Sequence, residues 1–270
     1  RAFGYPTVAE ALRGTRGIAL SYDRVYASAA IRGLGDPRDY NNRLLVLQDG
    51  TVMNDNILAA SFIGSDSRAD LEDVDRIEVV RGPGSLVYGT GAMSGVVNLV
   101  PRGKEEENSV QVGAGTYENS VIHARAGVHL NFNKSKTAGM AASVSGARSD
   151  GIDLVVEPRA APGTTATAHQ VDYFRSIGTT ARVWAGPFTA QLFFHSRDQH
   201  VTTGPYGILF DDVRTSYKDE RLMGEVRAEP KINDKFEILA RVYAQHYAYH
   251  GAYFYEPGKE GYNEDYSGTW

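Results

Sequence analysis

Asp75-Arg-Ile-Glu-Val-Val-Arg-Gly-Pro-Gly-Ser-Leu-Val-Tyr-Gly-Thr-Gly-Ala-Met-Ser-Gly-Val-Val-Asn98 is the stretch on which the fold turns. It reads as two strands with a glycine-rich break between them. Arg76-Ile-Glu-Val-Val80 is rich in β-branched residues. Gly82-Pro-Gly84 stops it, and Val96-Val-Asn-Leu-Val100 resumes before Pro101. The glycines at 82, 84, 89, 91 and 95 suit a backbone that turns tightly or approaches a wall closely, because glycine alone takes positive φ without strain. A phosphate-loop reading of Gly84 to Gly91 fails. That loop needs Lys and then Ser or Thr after its second glycine, and Gly89 is followed by Thr90-Gly91.

Upstream, the segments are short and mixed. Thr7-Val-Ala-Glu-Ala-Leu-Arg13 predicts a short helix, with Thr7 as cap and Glu10 three residues on. Val8, Ala11 and Leu12 share its apolar face. Gly14 and Gly17 end it, and Ile18-Ala-Leu-Ser21 is a strand candidate. Ala30-Ile-Arg-Gly33 leads into the polar stretch Asp36 to Arg43. Leu44-Leu-Val-Leu47 predicts a buried strand closed by the turn Gln48-Asp-Gly50. A long polar segment runs from Asn54 to Ala69, and Leu71 to Val74 suggests one helical turn.

This succession resembles the plug domain of TonB-dependent outer-membrane receptors. The order is a helix, an Ile-Arg-Gly strand, a Leu-Val-Leu strand closed by Asp-Gly, an Arg-Ile-Glu-Val strand, Arg-Gly-Pro, Tyr-Gly and Gly-Val-Val-Asn, over roughly residues 5 to 102. The resemblance implies an α+β plug domain, a small mixed sheet with short helices, over residues 1–102. It also implies a location in the outer membrane of a Gram-negative bacterium. Its partners would be the TonB-ExbB-ExbD energy-transducing complex, outer-membrane lipid and a scarce nutrient such as a ferric siderophore or cobalamin. In the family, plug arginines meet barrel carboxylates in the lumen, and Arg32 and Arg81 take that locking role here. A paired, half-buried charge specifies a seat yet breaks when one partner moves. The apical plug loops would be Asp36 to Arg43 and Asn54 to Asp66, with Arg38, Tyr40, Asn42, Arg43, Asn54 and Asn56 facing substrate.

Beyond the plug the period changes to two. Pro101 to Asn108 is polar and predicts a solvated linker, taken as 103–108. From 109 to 270, Val110, Val112 and Ala114 alternate with polar or small residues. So do Ala124, Ala126, Val128 and Leu130, then Phe188, Ala190, Leu192 and Phe194, then Leu222, Gly224 and Val226. Apolar and polar faces alternating over roughly ten residues per strand fit lipid outside and water inside. A soluble β-sandwich alternates too, but gives no reason for the rhythm of the loops. The connections at 131–134, 186–187 and 230–234 are short; those at 151–169 and 200–215, and the tail from His250, are long. Outer-membrane barrels have short periplasmic turns and long outer loops. Phe132, Trp184, Phe188 and Phe236 near the short turns, and Tyr243, Tyr247, Tyr249, Tyr253 and Phe254 near the long ones, suggest two interfacial girdles. Plugged transporters use ~22 strands against about seven counted here. The barrel is therefore expected to be incomplete in this chain, which reads as the N-terminal part of a longer, processed protein or its ordered part.

The composition excludes several classes. The chain has no cysteine, hence no disulfide or thiolate chemistry. No apolar run reaches the ~18 residues of a membrane helix. The net charge of −5 gives no nucleic-acid footprint. His123 and His129 share a strand face but lie ~20 Å apart, and His246 and His250 ~13 Å apart at strand rise, so neither pair chelates one ion. No catalytic residue, metal ligand set or cofactor is expected, and an enzyme is disfavoured. The leading reading is a receptor that imports a scarce nutrient, most simply a ferric siderophore, with the plug gating the lumen. The alternative is a ligand-binding or signal-transducing receptor or adhesin with little transport.

Overall fold

The computed structural model describes residues 4–102, 108–117, 120–135, 137–157 and 162–270. The body of the expected linker and the tip of the first outer loop lie outside them.

The plug is built as the sequence order predicts. Helix α1 (Val8–Leu12) is capped by Thr7, whose hydroxyl accepts from the Glu10 N–H at 3.3 Å. Strands β1 (Ile18–Tyr22) and β2 (Ala27–Ile31) form a hairpin. Strands β3 (Leu44–Gln48), β4 (Thr51–Val52), β5 (Val74–Arg81) and β6 (Gly95–Pro101) form a mixed sheet in the order β4-β3-β6-β5, with β3 and β6 parallel. Helix α2 (Ser85–Tyr88) bridges β5 and β6. Glycine is required at Gly95, where an added Cβ would stand 2.5 Å from the Ile31 side chain and 2.6 Å from the Val80 carbonyl. Leu71 to Val74, expected as a helical turn, is a non-helical turn closed by Val74 N–H to Leu71 O at 3.0 Å.

The strands that follow are β7 (Ser109–Tyr117), β8 (Ser120–Ser135), β9 (Ala138–Ser149), β10 (Ile152–Val156), β11 (Ala166–Val171), β12 (Phe174–Ala185), β13 (Phe188–His200), β14 (Ser216–Ala228), β15 (Lys231–Asn233), β16 (Phe236–Glu237), β17 (Ala240–Tyr253) and β18 (Tyr262–Thr269). Among the described residues, eight of them make one open antiparallel sheet in the order β18-β17-β14-β13-β12-β9-β8-β7. The sequence count misses β18, whose Tyr-Asn-Glu-Asp-Tyr-Ser-Gly-Thr has no apolar alternation. The long segment 151–169 is not all loop: β10 and β11 pair as a hairpin standing off the main sheet. The short connection after β14 likewise holds the small β15–β16 hairpin.

The main sheet is inside out relative to a soluble protein. Val110, Val112, Leu192, Val226 and Val242 are exposed, while their polar neighbours His129, Arg197, Gln199 and Gln245 are buried. The polar face therefore looks at the plug and the apolar face at lipid. Some inward positions are apolar, among them Phe193 and Met223. These two join the plug core of Val8, Leu12, Ile31, Leu44, Ile63 and Val97. Plug and wall also share two smaller clusters, one joining Val25 to Val201 and Tyr217 and one joining Ala69 to Ala147 and Phe174.

The girdle reading holds only in part. Phe132, Phe188 and Phe236 are exposed, but Trp184, Tyr247 and Tyr249 are buried. Tyr247 and Tyr249 have the strand parity of inward Gln245, so they pack on the plug instead of on lipid.

Candidate functional site

The interface between plug and wall is an array of charge-assisted contacts running the length of the strands. At the end with short turns, the β3–β4 turn inserts Asp49 among three wall arginines. Its carboxylate accepts from Arg182 at 3.3 Å and from Arg227, and its carbonyl accepts from Arg241 at 3.1 Å. Next to it Thr51 donates to Glu225 of β14. Asp49 and Gly50 have φ of +49° and +78°. That left-handed pair is what a tight hairpin demands, and it aims both acceptors outward.

Midway, Arg197 of β13 is fully buried. It donates to Asp219 at 2.6 Å, to the Gln199 side chain at 2.6 Å and to the Val25 carbonyl of the plug at 2.7 Å. Arg221 lies over the rings of Phe62 and Tyr247 at 5.8 and 5.4 Å, a cation–π arrangement. Plug residue Asp66 is buried nearby. Burial pushes its carboxyl up to about 7, opposed by the Arg197 charge and reinforced by Asp219. On β8, Arg125 reaches the carbonyl of Gly4 at 2.7 Å.

Toward the long loops the contacts become aromatic. Tyr26, at the tip of the β1–β2 hairpin, meets Tyr40 edge-on at 5.7 Å and Phe62 at 5.6 Å, and Phe62 stacks on Tyr247 at 5.4 Å. The wall adds Tyr217 and Tyr253 (5.3 Å apart) and Tyr249 stacked on Tyr266 at 4.8 Å. The Tyr249 and Tyr253 hydroxyls bond at 2.7 Å, and Tyr247 donates to Asp219 at 2.7 Å. The Tyr40 hydroxyl is pushed up to about 12, by burial first and then by the neighbouring Tyr206. The result is a tyrosine cluster where the plug tip meets the outer ends of β14, β17 and β18, a basin whose floor, Tyr217, Tyr247 and Tyr249, is buried and packed and whose rim, Tyr26, Tyr40, Tyr253 and Tyr266, is half-buried. Only the half-buried rim offers ring faces and hydroxyls, and these suit a planar or oxygen-rich ligand.

The residues singled out from sequence fall into four groups. Tyr40 lies in the basin. Arg38, Asn42, Arg43 and Asn56 are exposed around the plug. Arg38 is engaged with Asp36, holding that carboxyl down at about 2 through hydrogen bonds, and Arg43 pairs with Asp39 at 3.3 Å. Asn54 is buried and structural: it accepts from Val46 N–H and donates to the carbonyls of Leu44 and Ala59, each at 3.0 Å. Arg32 and Arg81 are exposed. Arg81 donates to the Arg16 carbonyl at 2.7 Å, and the Arg32 guanidinium lies against Gly82. Neither meets a wall carboxylate among the described residues. The contacts that sequence reasoning missed run with the opposite polarity, wall arginines onto plug acceptors. Strand parity places Arg197, Arg221 and Arg227 at inward positions, but it does not tell an arginine that meets the plug from one that faces water. The same parity marks Tyr217, Tyr247 and Tyr249 as basin residues.

Residues 1–96 match the TonB-dependent Receptor Plug Domain family. Two relatives align with the first part of the chain. The ferric enterobactin receptor of Pseudomonas aeruginosa is 33% identical over 121 residues, 43% of this chain and 14% of the relative. The vitamin B12 transporter BtuB of Vibrio vulnificus is 34% identical over 92 residues, 33% of this chain and 14% of the relative. Among solved structures, the pyoverdine outer membrane receptor FpvA of Pseudomonas aeruginosa superposes with a TM-score of 0.67 at 15% identity, over 98% of this chain and 39% of that one. The chain therefore spans well under half the length of the receptors it matches. Residues 1–96 are thus a plug domain of the TonB-dependent receptor kind, and the strands after them share the fold of such a receptor's barrel. Receptors of this kind sit in the outer membrane of Gram-negative bacteria.

Proposed function

We propose that the receptor to which this chain belongs binds a ferric siderophore at the tyrosine basin and imports it, with the plug as the gate and the TonB-ExbB-ExbD complex as the source of work. The observation that carries this reading is the basin itself. Plug and wall both contribute rings to it, so a ligand seated there touches the element that must move as well as the one that stays. The relatives bear the names of ferric enterobactin and vitamin B12 receptors. The basin's ring faces and hydroxyls suit an aromatic, oxygen-ligated iron complex better than a corrin. Arg38, Asn42, Arg43 and Asn56 would extend the ligand surface around Tyr40, while Arg32 and Arg81 would lock the plug against wall beyond the described sheet.

The test uses the full-length receptor. Its intrinsic fluorescence is titrated with a ferric catecholate, a ferric hydroxamate and cyanocobalamin, and iron-limited growth is compared with and without the TonB complex. Saturable quenching by a ferric complex, together with TonB-dependent growth, is expected. Quenching by cyanocobalamin alone would overturn the substrate class. Binding without any TonB-dependent uptake would favour a receptor that reports its ligand without carrying it.

A further inference from the structure

The outward face of the main sheet changes character toward the long loops. Strands β9 and β12 lie inside the sheet, flanked by β8 and β13, so this part of the wall has neighbours on both sides. On β12 the outward Val183 and Ile177 are about half exposed, and so are Met140 and Val144 on β9. The outward position that follows Ile177 toward the loops is Arg175. On β9, past Gly146, it is Arg148. Both arginines are exposed. Strand rise puts Arg175 roughly 7 Å beyond Ile177, the step from hydrocarbon to headgroup.

The two arginines stand face to face. Arg148 and Arg175 are register partners in the β9–β12 pairing. Like charges directly opposite each other on a sheet repel, and the wall does not firmly neutralise either one. Arg148 approaches Asp150 only at 3.9 Å, with its side chain 59% exposed. Arg175 makes no ion pair among the described residues, although Asp198 is its register partner on β13. Its guanidinium lies over the Tyr173 ring at 5.8 Å, and that ring stacks on His200 at 4.0 Å. The same row continues through Lys218, His250 and Asp265. There the charges are settled within the wall: Lys218 pairs with Glu220 at 3.0 Å, and His250 with Asp265. Behind the arginines, the inward Ala147 and Phe174 are buried against Ala69 of the plug. The backbone that carries the pair is therefore held from its other face.

We propose that Arg148 and Arg175 form a two-pronged clamp for one phosphate of a lipid headgroup in the outer leaflet. A phosphate between the guanidinia accepts from both forks and removes the repulsion that the register imposes. Two features select a lipid over a phosphate free in solution. The clamp opens on the outward face and is continuous, through Ile177 and Val144, with the apolar belt on which the acyl chains of the same molecule lie. The arginine stems cover that apolar surface while their charged heads stay at the headgroups, and the Tyr173 ring stands at the same level, where amphipathic rings gather. The site lies on the opposite face of the sheet from the tyrosine basin, so it does not depend on the cargo.

The full-length receptor, in micelles of a neutral detergent, is titrated with doubly phosphorylated lipid A, and the complexes are counted by native mass spectrometry. A basic side chain near an anionic lipid surface is worth about five-fold in affinity. Arg148→Gln and Arg175→Gln should each weaken binding by about that factor, and the double variant by about twenty-five-fold. Arg175→Lys, which keeps the charge without the planar fork, should fall between wild type and Arg175→Gln, and serves if the glutamine variant does not fold. Lys218→Gln, in the same row but already engaged by Glu220, should leave binding nearly unchanged. A double variant that binds as tightly as the wild type overturns the clamp. A loss in Lys218→Gln equal to that in either arginine variant overturns it too, because attraction would then be spread over the whole row. Equal binding of lipid A stripped of its phosphates would assign the affinity to the acyl chains. Displacement of lipid A by an equal concentration of inorganic phosphate would mark a site for the free anion and overturn the lipid.

Discussion

At the residue scale, the interface depends on buried ions that cannot lose one partner alone. Arg197 and Asp219 are both essentially inaccessible to water. Removing one leaves the other charged and uncompensated, a loss of about 3–5 kcal/mol, whereas replacing both by apolar groups is close to neutral or favourable. Arg197→Met should therefore destabilise the full-length receptor in chemical unfolding, and Arg197→Met with Asp219→Leu should recover most of the loss. Asp66 adds a pH dependence. Its carboxyl is raised from 3.8 to about 7 by burial, so the folded chain holds a proton that the unfolded chain has released. Stability from this group falls as pH rises from about 4 to about 7, then levels off. Asp66→Asn should flatten the melting temperature across that window; an unchanged slope would remove Asp66 as its cause. Arg81→Glu should loosen the plug and admit large antibiotics in the full-length protein, and unaltered permeability would end the locking role assigned to Arg81.

At the element scale, the β3–β4 hairpin is the clearest case of a local signal with a distant use. Gln48-Asp-Gly50 reads as a tight turn from sequence, and the structure has it. That the same turn collects Arg182, Arg227 and Arg241 was not legible, because a charged residue on an inward strand position looks the same whether it faces water or a plug. Asn54 shows the converse. It sits in a polar loop and reads as exposed, yet its amide closes three backbone bonds that no pattern announces. Strand β18 escaped for a third reason: with a carboxylate on each face and no aliphatic side chain it carries no apolar period. Asp49→Ala removes the shared acceptor of Arg182 and Arg227. It is expected to speed tryptic cleavage within the plug of the folded receptor. Gly50→Ala should do the same through strain at positive φ, with the Arg241 guanidinium only 3.3 Å from the added carbon. Equal cleavage rates in both variants and wild type would show that the turn is not a mooring point.

At the scale of the whole molecule, the central claim is that one sheet separates lipid from plug. The two-residue period made the alternation legible, and the uneven loops gave the direction of the strands. What the sequence could not supply was the inward apolar pair Phe193 and Met223, since these break the polar face to seal against the plug core. The claim is tested most directly along β14. In the full-length receptor, with any cysteine outside this chain replaced, a nitroxide is placed in turn at each position from 221 to 227, and its collision with oxygen and with a water-soluble nickel chelate is measured in bilayers. Positions 222, 224 and 226 should be open to oxygen and closed to nickel, and positions 221, 223, 225 and 227 should be shielded from oxygen. Oxygen access that does not alternate, or that peaks at the odd positions, would contradict the account.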